Sequence, residues 1–98
     1  MVNQFVVCGI LKEKPIVLEE STEGFYAVVN LEIKHRERTI DFVAVYIDKN
    51  ICDFIEKESK LGDMIAAKGY IITKYDTENE NLYSSSYLVG EKLFVMEQ

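Results

Sequence analysis

The sequence predicts an all-β fold, a small five-stranded barrel with one short helix between strands 3 and 4. Three observations carry that expectation. Two long stretches, 25–34 and 40–47, alternate from residue to residue between one face and the other, as half-buried strands do. A single stretch, 48–60, switches to a helical period. Ninety-eight residues with 48% hydrophobic content are enough for one core without metal or disulfide support, so residues 1–98 are expected to form one domain.

The elements follow in order. Residues 4–11, QFVVCGIL, are rich in β-branched and aromatic types and read as a buried strand with a bend at Gly9, closed by Pro15. From Gly24, the residues Phe25, Ala27, Val29, Leu31 and Ile33 share the inward face, and Tyr26, Val28, Asn30, Glu32 and Lys34 the outward one. Residues 34–38, KHRER, make a hairpin tip. Alternation then resumes with Val43, Val45 and Ile47 inward and Ile40, Phe42, Ala44 and Tyr46 outward. The helix has Asp48 or Asn50 as its N-cap, a stripe of Ile51, Phe54, Ile55 and Leu61, and Gly62 beyond its end. A fourth strand turns Ile65, Ala67, Gly69 and Ile71 inward and Lys68, Tyr70, Ile72 and Lys74 outward. After the polar turn DTENEN, residues 83–96 supply a fifth strand with a kink at Gly90. Three strands, a helix and two strands in this length is the order of the Greek-key barrel called the OB-fold, whose outer face commonly holds oligonucleotides.

Charge and composition narrow the function. Eleven Lys and Arg against seventeen Asp and Glu give a net charge of -6, which excludes a protein that grips polyanions with its whole surface. Any anion site must be local, and KHRER gathers Lys34, Arg36, Arg38 and the single histidine, His35, at one spot. The same tip also reads as a solvated turn that keeps strand edges apart. Cys8 and Cys52 form no CxxC pair and are expected as reduced core residues. No nucleophile stands beside a base, and neither a glycine-rich phosphate loop nor a metal-ligand cluster occurs, so the chain is expected to be no enzyme and to need no cofactor. A start without a basic n-region, and no apolar run of membrane-spanning length, lead to the expectation of a soluble cytoplasmic protein without a membrane partner.

Asn3, the run Val6-Val7-Cys8-Gly9 with Leu11, and Pro15 following it resemble the opening strand of the bacterial single-stranded DNA-binding proteins. AVVNLEI (27–33), DFVAVYI (41–47), GDMIAAKGYIITK (62–74) and LVGEKLFVME (88–97) are similar to that family's later strands, in the same order. The resemblance spans residues 3–97 and implies non-enzymatic binding of single-stranded DNA, in replication or recombination or in a mobile element. It implies base stacking on Phe42, Tyr46 and Tyr75, with phosphates on Lys34, Arg36, Arg38, Lys68 and Lys74. It also implies a homodimer or homotetramer paired through the first strand.

Departures from the pattern have consequences. No tryptophan is present, so weaker stacking is expected, and the hairpin tip is several residues shorter than the family's. The sequence ends at MEQ without the family's flexible acidic tail, so recruitment of other proteins by that route is not expected. A bare, shortened OB domain is also how the related primosomal replication protein N looks. The competing reading is therefore an assembly module that has kept the barrel and lost its grip on nucleic acid, and a dimer burying Phe42 and Tyr46 would mark it.

Overall fold

Period-two alternation gives six strands, β1 (Phe5–Leu11), β2 (Ile16–Val17), β3 (Ala27–Lys34), β4 (Ile40–Ile47), β5 (Met64–Tyr75) and β6 (Ser84–Met96), and all but the short edge strand β2 close into the expected five-stranded barrel. One helix, α1 (Lys49–Glu58), joins β4 to β5. The structure is a computed structural model and describes residues 2–19, 24–34, 40–75 and 84–96; the side chains of Ile40, Lys74, Tyr75, Ser84 and Ser85 lie outside that description. The strand order is β1-β5-β6-β4-β3-β2, and β1 also pairs with β3, which closes the barrel. All pairs are antiparallel except β4 with β6, where Val45 faces Leu88 and Tyr46 faces Val89.

The helix lies between the strands expected to flank it. The difference in numbering comes from β2, a two-residue strand whose Ile16 and Val17 pair with Val28 and Ala27 at the sheet edge. A pair this short carries no alternation, and Pro15 just before it reads as a terminator.

β1 serves two neighbours in turn. Phe5 to Ile10 pair with Gly69 to Met64 of β5, while Ile10 and Leu11 pair with Glu32 and Leu31 of β3. The bend falls at Gly9, where a Cβ would stand 2.9 Å from the Glu32 carbonyl oxygen and 2.9 Å from the Leu31 Cβ. Only glycine lets the two strands approach so closely there. Beyond Leu11, its N–H donates to the Asp63 carbonyl and its carbonyl accepts from the Gly62 N–H, tying β1 to the turn after α1.

The core is formed by the inward sets: Ala27, Val29 and Leu31 of β3, Val45 and Ile47 of β4, Ile65 and Ala67 of β5, with Phe5, Leu11 and Leu93. α1 plugs one end with Cys52 and Ile55. Its first turn is capped by Asp48, whose Oδ1 accepts from the Ile51 N–H at 2.8 Å. Within the expected apolar stripe, Ile51 and Ile55 pack on the core but Phe54 and Leu61 are exposed, and Cys52 takes the buried place. Ten helical residues make too short a helix for the stripe to reach Leu61, which lies in the following turn.

Three further placements differ from expectation, and a fourth is sharpened. Cys8 is exposed, because it pairs with Ala66 on the outer face while Gly9 points inward. Ile71 is also exposed, since it lies on β5 beyond Gly69, the last partner of β1. Phe25 and Tyr26 precede β3 and escape its alternation: Tyr26 packs against the core and Phe25 against the outer ring of Tyr46. The kink expected at Gly90 is a bulge, with Gly69 facing Gly90 but Lys68 facing Lys92, so that Glu91 is the extra residue.

Candidate nucleic-acid interface

β4 is the centre of an outer face because both its neighbours are paired. Phe42, Ala44 and Tyr46 point outward, opposite Glu32, Asn30 and Val28 of β3. On the other side Val89 of β6 faces Tyr46, and Tyr70 of β5 faces Val89. A row of outward residues, Val28, Tyr46, Val89 and Tyr70, thus runs across four strands.

Rings lock this row together. Phe25 and Tyr46 have centroids 5.2 Å apart with planes tilted by 43°, and Tyr46 meets Tyr87 edge-on at 5.2 Å and 78°. Such pairs add about 0.5–1.5 kcal/mol each beyond area burial. Among these neighbours Val89 keeps 8% of its surface exposed although it faces outward. Tyr46 is therefore the middle of a three-ring cluster rather than a free platform, and its neighbours hold its orientation. Phe42 differs: it is 60% exposed on the same face, four residues along the strand.

Sequence reasoning missed Phe25 and Tyr87 as members of this cluster. Phe25 was assigned inward by extending the β3 alternation one turn too far. Tyr87 had a usable signal, since residues 87 and 89 share a side of the fifth strand, but only the parallel pairing with β4 puts that side beside Tyr46.

Charge around Phe42 is mixed. Its cross-strand partner Glu32 is buried, and the Glu32 carboxylate lies 3.9 Å from Lys12 Nζ. Asn30, one step along, donates from Nδ2 to Glu13 Oε1 at 3.0 Å. Lys34, exposed at the end of β3, shares the face of Glu32 and Phe42 and is the described cation nearest to them along β3. Arg36 and Arg38, with the rest of 35–39, lie outside the described residues. Lys74 and Tyr75 end β5 opposite Ser85 and Ser84, and their side chains likewise lie outside the description. Lys68 is not beside Phe42: it faces Val6 and Lys92 on the β1–β5–β6 side of the barrel. Among the described residues no cluster of three His, Cys, Asp or Glu could hold a metal ion. No described helix is long and apolar enough to cross a membrane.

No protein-family model matches this chain, and no curated protein sequence matches it. Solved structures do. A single-stranded DNA-binding protein of Plasmodium falciparum, in complex with single-stranded DNA, aligns with a TM-score of 0.70 at 17% identity over 99% of this chain and 96% of that one. The mitochondrial single-stranded DNA-binding protein of S. cerevisiae aligns with a TM-score of 0.73 at 7% identity, covering 97% and 94% of the two chains. The N-terminal domain of PriB from Thermoanaerobacter tencongensis, a dimeric structure, aligns with a TM-score of 0.67 at 14% identity over 98% of both. The fold is the OB-fold. At these identities the likeness is one of barrel and topology, and the ring-lined face of this OB-fold has to be argued from its own residues.

Proposed function

We propose that this protein is a non-enzymatic binder of single-stranded DNA that lays bases against the outer face of β4. Phe42 offers an open ring, and Tyr46, braced by Phe25 and Tyr87, extends the stacking surface. Lys34, with Arg36 and Arg38 of the adjoining KHRER stretch and Lys74 at the end of β5, supplies local phosphate contacts and Tyr75 a further stacking ring, while Lys68 can meet only a strand that runs on beyond this face. The observation that carries the reading is an apolar ring, 60% exposed, on the outer face of β4 and in line with a ring cluster and a lysine. Exposed large rings at such a place serve a ligand or partner better than they serve a monomer in water. Fold likeness to a protein solved with single-stranded DNA supports it.

The proposal extends to assembly. From Phe5 to Gly9, β1 pairs on one side with β5, and among the described residues its other edge meets no strand until Ile10. A second copy pairing antiparallel along that edge would satisfy the free backbone groups and cover Val6, which is 66% exposed. The homodimer is the simplest such assembly, and a homotetramer would stack two of them. We place the protein in the cytoplasm, in replication or recombination or on a mobile element.

Fluorescence anisotropy of a labelled oligo-dT, titrated at low and at physiological salt, tests the reading. About four phosphate contacts at about -0.7 each predict a slope of log affinity against log salt near -3. Phe42→Ala and Arg36→Glu should each weaken binding. Absence of binding by the wild type even at low salt sinks the proposal.

A further inference from the structure

We infer that Lys68 and Lys92 form a second phosphate-holding subsite, which leads a bound strand off the ring face and over the β5–β6 back of the barrel toward the β1 edge. This rests on the reading of the protein as a single-strand binder and adds Lys92 and a path to it.

Lys68 and Lys92 are direct cross-strand partners, both exposed. Like charges placed directly opposite one another destabilise a sheet. No described carboxylate pairs with either: the ion pairs among the described residues join Lys12 to Glu32 and Lys49 to Asp53. Glu91, bulged out between them and Gly90, lines the same open recess as the two lysines and bridges neither. Asn3, Gln4 and Gly69 also line it, and the Asn3 side chain is already engaged with the Ile71 backbone. A chain of net charge -6 that nonetheless sets two of its eleven basic residues face to face leaves an unneutralised site for an anion.

Position supplies the identity of the anion. Lys68 lies two residues before Tyr70 on the same strand and the same face, a step of about 7 Å. Tyr70 belongs to the row that includes Tyr46. A strand whose bases lie on that row can therefore set its next phosphodiester between the two ammonium groups without crossing any other element. The third member of the lysine row is Val6 of β1, the strand with the free edge. In a dimer paired through β1, the path would run on to the same two lysines of the second copy.

The experiment compares oligo-dT of about 8 nucleotides, which one ring face can hold, with oligo-dT of about 30 nucleotides, for the wild type, Lys68→Ala/Lys92→Ala and Phe42→Ala. Thermal unfolding verifies that the double variant folds. The expected result is a salt slope shallower by about 1.4 for the double variant on the long oligomer, two contacts at about 0.7 each, with affinity for the short one unchanged. An unchanged slope on the long oligomer, with Phe42→Ala still weakening it, removes the subsite and leaves the binding reading intact. Failure of the wild type to bind either oligomer removes both. Stabilisation of the wild type but not the double variant by inorganic phosphate, together with an unchanged slope on the long oligomer, would make this a free-anion site and overturn the proposed path.

Discussion

The two sides of this barrel treat exposed apolar residues in opposite ways. On the β3–β4–β6 side the rings are gathered: Phe25, Tyr46 and Tyr87 touch, and Val89 is covered among them. On the β1–β5–β6 side Val6, Phe94 and Met96 stand exposed with no ring contact, near an edge that lacks a strand. A pre-packed ring cluster has already lost its rotamer freedom, so a flat partner such as a base can settle on it with little further ordering. Scattered aliphatic side chains beside a free backbone edge suit a surface that brings its own backbone, which is what a second copy provides. On the proposed reading the ring side holds bases, and the β1 edge, beyond the lysine pair Lys68 and Lys92, takes a second copy.

The sharpest way to break both sides together is Gly69→Ala. Its Cβ would lie 1.8 Å from the Val89 carbonyl oxygen, a backbone atom that cannot step aside. Gly69 faces Gly90 at the bulge where the sheet passes from one side to the other. A loss of about 3 kcal/mol or more is expected in denaturant unfolding. A variant as stable as the wild type would mean that the bulge is soft.

Phe42→Ala and Phe94→Ala separate the sides. Phe42→Ala should cost about 1–3 kcal/mol of single-strand affinity and leave the melting temperature nearly unchanged, because the ring is exposed. Phe94→Ala should leave the affinity for a short oligonucleotide alone and lower the share of dimer seen by analytical ultracentrifugation. Equal loss of short-oligonucleotide affinity in both variants would erase the distinction between the sides.

How much of this was legible in the sequence follows from where alternation holds. Inside β3 and β4 the alternation from Ala27 to Leu31 and from Phe42 to Ile47 agrees with the barrel, since the two strands pair with each other over that whole length, although Glu32, on the outward face, is buried. At the ends of those strands the period stops meaning anything, and Phe25 and Tyr26 exchange roles there. Cys8 failed for a different reason. A run as apolar as FVVCGIL reads as buried on both faces, but β1 has core on one face only, and the other face is the one proposed above to meet a second copy. The ring cluster was legible only at Tyr46, because its other members arrive through the parallel β4–β6 pairing, a contact between residues about forty apart that no local pattern announces.

A smaller effect acts on both sides alike. Asp48→Ala removes the N-cap of α1 and should cost about 1 kcal/mol of stability, with the salt slope of binding and the dimer fraction unmoved. A change in either would mean that α1 positions one of the two surfaces instead of only closing the barrel.

The smallest expected effect contrasts the two cysteines. Cys52 is buried in α1 against the core, and burial pushes its thiol up from the ordinary range, with Glu56 and Asp53 adding to the shift. A raised value in the folded state means the fold favours the neutral thiol. The corresponding stability is whole below the unfolded thiol value, about 8.5, and is lost as pH rises through the higher folded value. Wild-type unfolding free energy should therefore fall more steeply above about pH 8.5 than that of Cys52→Ala. Iodoacetamide at neutral pH should label exposed Cys8 in the native protein and reach Cys52 only on unfolding. Because Cys8 lies on the β1 strand proposed to pair with a second copy, its labelling should also slow as protein concentration rises. A rate for Cys8 independent of concentration across the dimer transition would place that interface elsewhere and leave the back of the barrel without its proposed cover.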